Sequence, residues 1–323
     1  MKIGGILVAT KPPLIILTGP TAVGKTALSI ALAKAVNGEI ISADSMQVYR
    51  HMDIGTAKIK PEEMQGVVHH LIDYCEPSEE FHVVRFATDA KQCIEEIYER
   101  GHIPIIAGGT GFYIQAVLYG IDFGENDGDM AYREELERQA KELGAEWLHN
   151  ELRKVDEKAA EAIHPNNVKR VIRALEYWKQ TGEPISEHNE REKEKESPYN
   201  AAYFVLTDDR AKLYARIDER IEEMLAEGLV AEVQQLADMG YDTSYVSMQG
   251  LGYKEILAYL AGECTLDEAV YILKRDTRHF AKRQLTWFKR EKEVIWLDKQ
   301  KYSSTELLLE EILQILKEKN MLL

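Results

Sequence analysis

The sequence predicts an α/β protein with a doubly wound parallel sheet, and three apolar segments support that prediction. LIILT (14–18), EIISAD (39–44) and IPIIAGGTG (103–111) are each typical of a buried strand that ends in polar or glycine-rich residues. Helical periodicity at 26–35 and 86–100 supplies the helices that connect parallel strands. Strands that alternate with helices predict right-handed crossovers within one sheet.

Further segments extend this pattern towards the end of the chain. HHLID (69–73) is a weaker strand candidate, and AAYFVLT (201–207) contains a stronger one at 203–206. VIWL (294–297) predicts one more short strand, and the periodicity of 304–319 predicts a closing helix.

A helical insertion is predicted to interrupt this α/β core. The stretch 130–180 carries only helical signals, and the charged segment EHNEREKEKESPYN (187–200) is typical of a loop or hinge. We therefore predict an α/β core formed by residues 1–122 and 200–323, with a helical insertion at 123–199.

Composition limits the class of protein. The chain has 323 residues, of which 45% are hydrophobic, so it is long enough to bury a sizeable core. Its three cysteines form no C-x-x-C pair, which argues against a zinc site or a redox motif. The sequence has neither a signal-peptide pattern nor an apolar run long enough to span a membrane. We therefore expect a cytoplasmic protein that contacts no membrane and has no obligate protein partner.

The motif GPTAVGKT (19–26) follows the first strand and matches the phosphate-binding pattern G-x-x-x-x-G-K-[ST]. Its glycines let successive backbone N–H groups point at phosphate oxygens, and the start of a helix adds its dipole. Lys25 supplies a point charge, and the Thr26 hydroxyl suits Mg²⁺. Most such loops hold a nucleotide such as ATP. The motif predicts a P-loop NTPase-like core with the phosphate-binding residues Gly19, Pro20, Thr21, Ala22, Val23, Gly24, Lys25 and Thr26.

Two further strand ends are expected to face the same crevice as this loop, because ligands bind outside the carboxyl ends of parallel strands. Asp44 ends the second strand, where a carboxylate can take a proton from an attacking nucleophile or can cap the following turn. GGTGFY (108–113) ends the third, where glycines permit close approach to a ligand and Thr110 offers a hydroxyl. IPIIAGG lacks the Asp of a Walker B strand, which argues against a standard ATPase but leaves a small-molecule kinase open.

Basic residues are concentrated in two segments of a chain whose net charge is −15. That net charge alone argues against a nucleic-acid partner. However, 274–292 carries eight Lys or Arg against two acidic residues, and 166–176 carries three more. At helical spacing these form two cationic stripes, either solvated helix faces or contacts for an RNA backbone. The stripes contain Lys169, Arg170 and Arg173, and Arg275, Arg278, His279 and Lys282.

In this order the motifs resemble those of the bacterial tRNA dimethylallyltransferases. The resemblance is carried by GPTAVGKT, ISADSMQVYRHMDIGTAK, HHLID, GGTGFY, HPNNVKRVIRALE, RIDERI, GLGYKE and TRHFAKRQLTWF, which together extend over roughly 14–297. His51 departs from the family, which usually has glycine there, and the chain has no zinc-finger extension of the eukaryotic kind.

The resemblance implies transfer of a dimethylallyl group from dimethylallyl diphosphate to the exocyclic amine of the adenosine 3′-adjacent to the anticodon, with release of pyrophosphate. The partners are then dimethylallyl diphosphate and a tRNA anticodon stem-loop, with Mg²⁺ held near Thr26 as cofactor. It also implies that the phosphate loop holds this diphosphate and that the catalytic residues are Asp44, Lys25, Thr21 and Arg220. The implied tRNA contacts, in the core and in the insertion, are Asp44, Ser45, Met46, Gln47, Thr110, Arg133, Lys169, Arg170, Val171, Ile172, Arg173, Gln249, Gly250, Leu251, Gly252, Tyr253, Lys254, Arg278 and Lys282. A prenyltransferase acting on free adenine nucleotides and a P-loop small-molecule kinase are the alternatives.

Overall fold

The structure is a computed structural model that describes residues 11–121 and 130–322. Its chain divides into two compact units, one formed by Met1–Gly120 with Ser197–Leu323 and the other by Ile121–Glu196. None of the helices in these described ranges is both long enough and apolar enough to cross a membrane.

The first unit contains a six-stranded sheet in which every pair of neighbouring strands is parallel. Its spatial order is β3-β2-β4-β1-β5-β6. The strands are β1 Pro13–Thr18, β2 Gly38–Ala43, β3 His69–His70, β4 Ile103–Gly108, β5 Asn200–Thr207 and β6 Val294–Asp298. This architecture confirms the predicted α/β class and parallel sheet. Of the predicted strands, HHLID is reduced to the two residues of β3.

Helices connect the strands of the sheet and form the insertion. In chain order they are α1 Lys25–Val36, α2 Val83–Glu99, α3 Gly111–Leu118, α4 Met130–Leu143, α5 Ala145–Val155, α6 Glu157–Ala162, α7 Val168–Thr181, α8 Ile185–Glu194, α9 Arg210–Glu227, α10 Leu229–Asp238, α11 Tyr253–Leu260, α12 Leu266–Phe288 and α13 Thr305–Glu318. Two short 3₁₀ helices lie at Ser247–Gln249 and Lys299–Lys301.

The register of the sheet brings the candidate site residues to one edge. Thr18, at the end of β1, pairs with Gly108 of β4 and Val205 of β5, and Gly108 also pairs with Ala43 of β2. The loops that follow these strands therefore leave the sheet side by side. The interior of the strands is apolar and buried, as expected for a parallel sheet covered on both faces.

The second unit is helical throughout its described residues and has its own apolar core. Leu148 and Leu152 of α5 pack in that core with Val171 and Leu175 of α7. The prediction of a loop over 187–200 is wrong for its first part, because α8 continues to Glu194. Glu, Arg and Lys are good helix formers, and an Arg191–Glu183 ion pair ties α8 to the end of α7. High charge alone does not identify a loop.

A charge cluster at the opposite edge of the sheet gives a first testable prediction, on fold stability. Glu39 at the start of β2 is 3% exposed, and its carboxylate accepts two hydrogen bonds from Arg100, both 2.9 Å. His70 and His102 each place a ring nitrogen 2.6 Å from the same carboxylate. The hydrogen bonds from Arg100 lower the pKa of Glu39 to about 2. Burial raises this pKa, and the hydrogen bonds of His70 and His102 lower it further.

Because this pKa lies below the usual carboxyl value, the stabilisation is present above about pH 4.5 and is lost as pH falls towards about 2. Glu39→Gln should therefore lower the free energy of unfolding by about 2–3 kcal/mol at neutral pH. This value allows for the partial exposure of Arg100, which weakens the ion pair. Urea unfolding of wild type and variant, at neutral pH and near pH 3, measures this loss of stability. Glu62→Gln on the surface is the matched control. An equal deficit at both pH values would contradict the assignment.

Candidate active site

The phosphate-binding loop leaves β1 at Gly19 and enters α1 at Lys25. Gly19 has φ +149°, and a Cβ atom there would lie 2.6 Å from the carbonyl oxygen of Leu206. Gly24 has φ +99°, in the left-handed region that favours glycine. Both positions therefore require glycine, because their positive φ angles are unfavourable for residues with a Cβ atom. The loop places the positive end of the α1 dipole and the charge of Lys25 beside each other, an arrangement that binds anions.

Lys25 points back over the loop that it follows. Its Nζ donates to the carbonyl oxygens of Gly19, at 3.0 Å, and Pro20, at 2.9 Å. Burial lowers the pKa of Lys25 to about 8; the charge of Asp44 opposes this shift and that of Arg220 adds to it. The electrostatic coupling of these side chains places Lys25, Asp44 and Arg220 in one region. An anion bound in the loop would favour the protonated ammonium.

Asp44 caps the turn that follows β2. Its Oδ1 accepts the backbone N–H groups of Met46, at 2.9 Å, and Gln47, at 3.3 Å. In the described part of the chain, no residue forms a hydrogen bond with the second carboxylate oxygen, Oδ2. Capping and proton transfer were open alternatives, and the geometry permits both, since they use different oxygens of one half-buried carboxylate.

Two arginines of α9 differ in how they are bonded. Arg216 Nε donates to the Ala22 carbonyl at 3.0 Å, and its Nη2 bonds to Asp208 at 2.7 Å. Lys299 supports the same side of the loop through the Val23 carbonyl at 3.0 Å. Arg220, one helical turn after Arg216, has no ion pair within 11–121 and 130–322, and burial lowers its pKa. A half-buried guanidinium without a carboxylate partner is suited to binding an anion.

The glycines of GGTG make close contacts within the protein. A Cβ atom at Gly108 would lie 2.2 Å from the Ala43 carbonyl oxygen, and one at Gly109 would lie 2.2 Å from Nε2 of Gln284. One at Gly111 would lie 2.2 Å from Cδ1 of Trp287. Thr110 begins α3 without using its side chain as a cap, so its hydroxyl is not committed to the helix.

Gln284 of α12 is a site residue that the sequence analysis missed. Its Oε1 accepts the N–H of Thr21 at 2.9 Å, and its Nε2 donates to the Gly109 carbonyl at 2.9 Å. A signal for it exists in the sequence: Gln284 falls between Ala281 and Phe288 on the buried face of α12, where an apolar residue is expected.

The segment Gln249–Lys254 packs against the turn that follows Asp44. A Cβ atom at Gly250 would lie 2.3 Å from Cε of Met46, and Gly252 has φ +95°. Tyr253, predicted to contact RNA, is instead buried, and its hydroxyl donates to Glu232 at 2.7 Å. Glu232 also accepts the N–H groups of residues 53–55, so it holds the loop next to this segment.

Other predicted RNA contacts near Asp44 are partly used within the protein. Gln47 donates to the carbonyl oxygens of Thr56, at 3.1 Å, and Ala57, at 3.2 Å. Gln249 Nε2 donates to the Thr243 carbonyl at 3.2 Å, and Lys254 lies 3.4 Å from Glu255. His51, where the family usually has glycine, adopts φ +65°, and the left-handed conformation accounts for a preference for glycine there.

Two of the four residues of the cationic stripe predicted on α12 form ion pairs within the protein. Arg275 pairs with Asp276 at 2.8 Å and Arg278 with Asp218 at 2.5 Å, so neither presents an unpaired charge. A cavity of about 420 Å³ lies beside the other two residues of the stripe, His279 and Lys282. We call this surface the α12 groove, and it is lined by His279, Lys282, Arg283, Thr286, Trp287 and Arg290.

In the insertion, Lys169 and Arg170 are exposed at the start of α7. Val171 and Ile172 are buried in the core, so these side chains contribute to packing rather than to an RNA surface. Arg133 makes a two-point ion pair with the buried Glu176, at 2.8 and 3.0 Å.

Comparison with known proteins places this geometry in a family. A family model described as IPP transferase matches residues 47–291, and a second, described as isopentenyl transferase, matches residues 12–80. The first covers well over half of the chain. The chain belongs to the IPP transferase family.

Individual members of this family are similar over almost the whole chain. A tRNA dimethylallyltransferase of Lachnoclostridium phytofermentans is 66% identical over 96% of this chain and 99% of its own length. The full-length tRNA isopentenylpyrophosphate transferase structure from Bacillus halodurans is 47% identical, with a TM-score of 0.72, covering 96% of this chain and 98% of that one. A eukaryotic dimethylallyltransferase structure, described as acting on tRNA, is 32% identical, with a TM-score of 0.78, covering 89% of this chain and 74% of that one. These neighbours share the P-loop NTPase-like fold predicted for this IPP transferase family member.

Proposed function

We propose that this chain transfers a dimethylallyl group from dimethylallyl diphosphate to the exocyclic amine of the adenosine 3′-adjacent to the anticodon of tRNA. The observation that carries the proposal is the convergence of a phosphate-binding loop, Lys25, Arg220 and a carboxylate at one edge of the sheet. Family membership supports it, since relatives of this length and similarity are tRNA dimethylallyltransferases.

The allylic carbon–oxygen bond breaks as negative charge builds on the diphosphate. The loop amides and Lys25 stabilise that charge on one side, and Arg220 lies within electrostatic reach of Lys25 to add a second cation. Arg216 and Lys299 donate hydrogen bonds to the carbonyl oxygens of Ala22 and Val23 in the loop, so they fix its shape. Pyrophosphate leaves from this cationic site.

Mg²⁺ fits the site through the diphosphate itself. Within the described residues there is no group of three or more His, Cys, Asp or Glu placed to hold a metal ion. Mg²⁺ often keeps several waters and binds through substrate phosphates with one or two protein oxygens. The exposed Thr26 hydroxyl at the start of α1 would supply one. When bound, the ion would neutralise charge on the leaving diphosphate.

The acceptor amine loses a proton as the new carbon–nitrogen bond forms. Asp44 is a carboxylate of this region, and its Oδ2 is not used by the cap. We assign it as the base. The adenine must leave the anticodon-loop stack to reach it, as enzymes that modify bases generally require. Thr110, Ser45 and the segment Gln249–Lys254, apart from the buried Tyr253, are proposed RNA contacts around that position.

The insertion is proposed to bind the RNA through the exposed side chains at the start of α7. The core is proposed to bind the RNA through the α12 groove. Lys169 and Arg170 are exposed on the insertion, and Lys282 lines the groove. Trp287, also in the groove lining, offers a surface on which a base can stack.

A transfer assay tests the proposal. The protein is incubated with labelled dimethylallyl diphosphate and unmodified tRNA, and the label is located in the RNA by nuclease digestion. Label on the adenosine next to the anticodon supports the proposal. Label transferred to free AMP at a comparable rate would favour the mononucleotide prenyltransferase. Phosphate transferred from labelled ATP to a small acceptor, without prenylation of RNA, would favour the kinase.

The proposed RNA grip gives a second prediction. Lys282→Ala and Arg170→Ala should each weaken tRNA binding and should each reduce the slope of log affinity against log salt by about one. Each loses a cation that releases counterions when it meets a phosphate. Filter binding across a series of salt concentrations measures the slope.

Arg138→Ala is the matched control, because Arg138 is already paired with Glu135 and Glu142. That variant should keep the wild-type slope. If Lys282→Ala lowers the melting temperature but leaves the slope unchanged, Lys282 belongs to the structure of α12 and not to an RNA contact.

A further inference from the structure

The side chain of Gln284 joins two segments of the candidate active site that are far apart in sequence. Its Oε1 accepts the N–H of Thr21, and its Nε2 donates to the carbonyl of Gly109, both at 2.9 Å. Gln284 is 7% exposed, so water hardly competes for either bond. Both ends of one rigid amide are therefore committed, one to the phosphate-binding loop and one to the end of β4.

The surroundings admit this amide because position 109 is glycine. A Cβ atom at Gly109 would lie 2.2 Å from Nε2 of Gln284. Gly109 immediately precedes Thr110, whose side chain does not cap α3 and which is a proposed RNA contact. The two hydrogen bonds thus fix the distance between the loop that holds the diphosphate and the turn that carries Thr110.

The helix that carries Gln284 also carries the α12 groove. Lys282 precedes Gln284 by two residues and Trp287 follows it by three, and both line that groove. Gln284 lies on the buried face of the same turns, with Ala281 and Phe288. A single helix therefore presents basic side chains on one face and holds the diphosphate loop with the other.

We propose that Gln284 is a positioning residue for prenyl transfer, which holds the diphosphate loop and the Thr110 turn in register and links both to the proposed RNA-binding helix. The proposal rests on the proposed function. Gln284 acts through Thr21 and Gly109 rather than on a reacting atom. The sequence TRHFAKRQLTWF then combines two tasks, RNA contact from its exposed positions and loop alignment from its one buried amide.

Gln284→Met tests the alignment, because methionine has a similar length and forms neither hydrogen bond. We expect the KM for dimethylallyl diphosphate to rise and single-turnover transfer to fall, together by about 10- to 100-fold, the usual effect of a small misplacement. The dissociation constant for tRNA should stay within about twofold of wild type. Gln235→Met, at an exposed position of α10, is the matched control and should behave as wild type.

Gln284→Glu tests the positioning role through the pH dependence of kcat/KM, which a purely structural role of Gln284 would leave unchanged. The ionised carboxylate can still accept from Thr21, but it faces the Gly109 carbonyl with no hydrogen to donate. The protonated carboxyl restores that donor, and burial favours protonation by raising its pKa. The ratio of variant to wild-type kcat/KM for dimethylallyl diphosphate should therefore rise as pH falls from about 8.5 to about 6.

Outcomes of these measurements separate the inference from the proposed function. If wild-type protein transfers no prenyl group to tRNA, the proposed function is wrong. If wild type transfers and Gln284→Met keeps its donor KM, the positioning role is overturned. A ratio for Gln284→Glu that is flat with pH would overturn it equally, and this second variant decides the question if Gln284→Met does not fold. Calorimetric titration with inorganic pyrophosphate measures the affinity of the phosphate-binding loop in the absence of RNA. We expect both variants to bind pyrophosphate more weakly than wild type.

Discussion

Lys25→Ala should reduce single-turnover prenyl transfer by about 10³-fold while tRNA affinity stays within about twofold of wild type. Lys25 is the one charged residue in the phosphate-binding motif GPTAVGKT. Removing one preorganised group that stabilises developing charge typically costs about 10²- to 10³-fold in rate. Lys25 is also proposed to bind the donor, so the loss is expected at the upper end of that range.

The pH dependence of the reaction adds a second, independent signature of Lys25. Burial lowers the pKa of Lys25 to about 8, and its protonated form is the one that binds an anion. The kcat/KM for dimethylallyl diphosphate should therefore decline as pH rises through about 8 in the wild-type protein. In Lys25→Ala that decline should disappear, since the group that titrates has been removed.

Lys34→Ala is the matched control for this prediction. Lys34 lies on α1 as well, but it is exposed and bonds to Gln65 at 2.7 Å. The variant should transfer the prenyl group at the wild-type rate. Retention of more than about a tenth of the activity by Lys25→Ala would mean that Lys25 supplies little charge stabilisation, which contradicts its proposed role.

The part of the site that could be predicted is the part encoded by local sequence. The phosphate-binding loop is one uninterrupted strand, turn and helix, so its pattern is complete in 14–35. Asp44 and Thr110 could be added because parallel strands end at a common edge, and the observed pairing of Ala43 with Gly108 places them there. Each of these inferences needs only neighbouring residues or a general property of parallel sheets.

The part that could not be predicted depends on contacts between distant residues. Gln284 meets Thr21 across 263 positions of sequence, and Arg216 meets Ala22 across 194. The ion pair of Arg278 in the α12 stripe with Asp218 of α9 could not be predicted either, because helical spacing alone does not show that partner. Spacing gives the faces of a helix, whereas tertiary packing decides which charges on them are already neutralised.

Asp44→Asn separates the two functions that the geometry allows for this carboxylate. In the wild-type protein one oxygen, Oδ1, accepts from Met46 and Gln47, at 2.9 and 3.3 Å. Asparagine retains an oxygen for that cap and caps about as well as aspartate. It replaces the second oxygen by an amide nitrogen, which cannot accept a proton at neutral pH. The substitution therefore removes the proposed base and keeps the turn.

We expect Asp44→Asn to fold with a melting temperature near that of wild type and to bind both substrates. Its single-turnover transfer to saturating tRNA should be slower by about 10²- to 10⁴-fold, the usual contribution of a positioned base. Single-turnover conditions keep substrate-binding losses out of the comparison. Asp44→Ala removes cap and base together, so it should show the same catalytic loss and an added stability loss of about 1 kcal/mol.

Asp209→Asn is the control that isolates capping, because the Asp209 side chain caps α9 by accepting the N–H of Lys212 at 3.0 Å. It should leave both stability and transfer close to wild type. A loss of less than about tenfold in Asp44→Asn corresponds to about 1.4 kcal/mol of barrier, too little for a base, and would leave Asp44 as a cap. Weaker tRNA binding with an unchanged chemical step would instead make it a recognition residue. Because Oδ2 is not used by the cap, we expect the base to be the result.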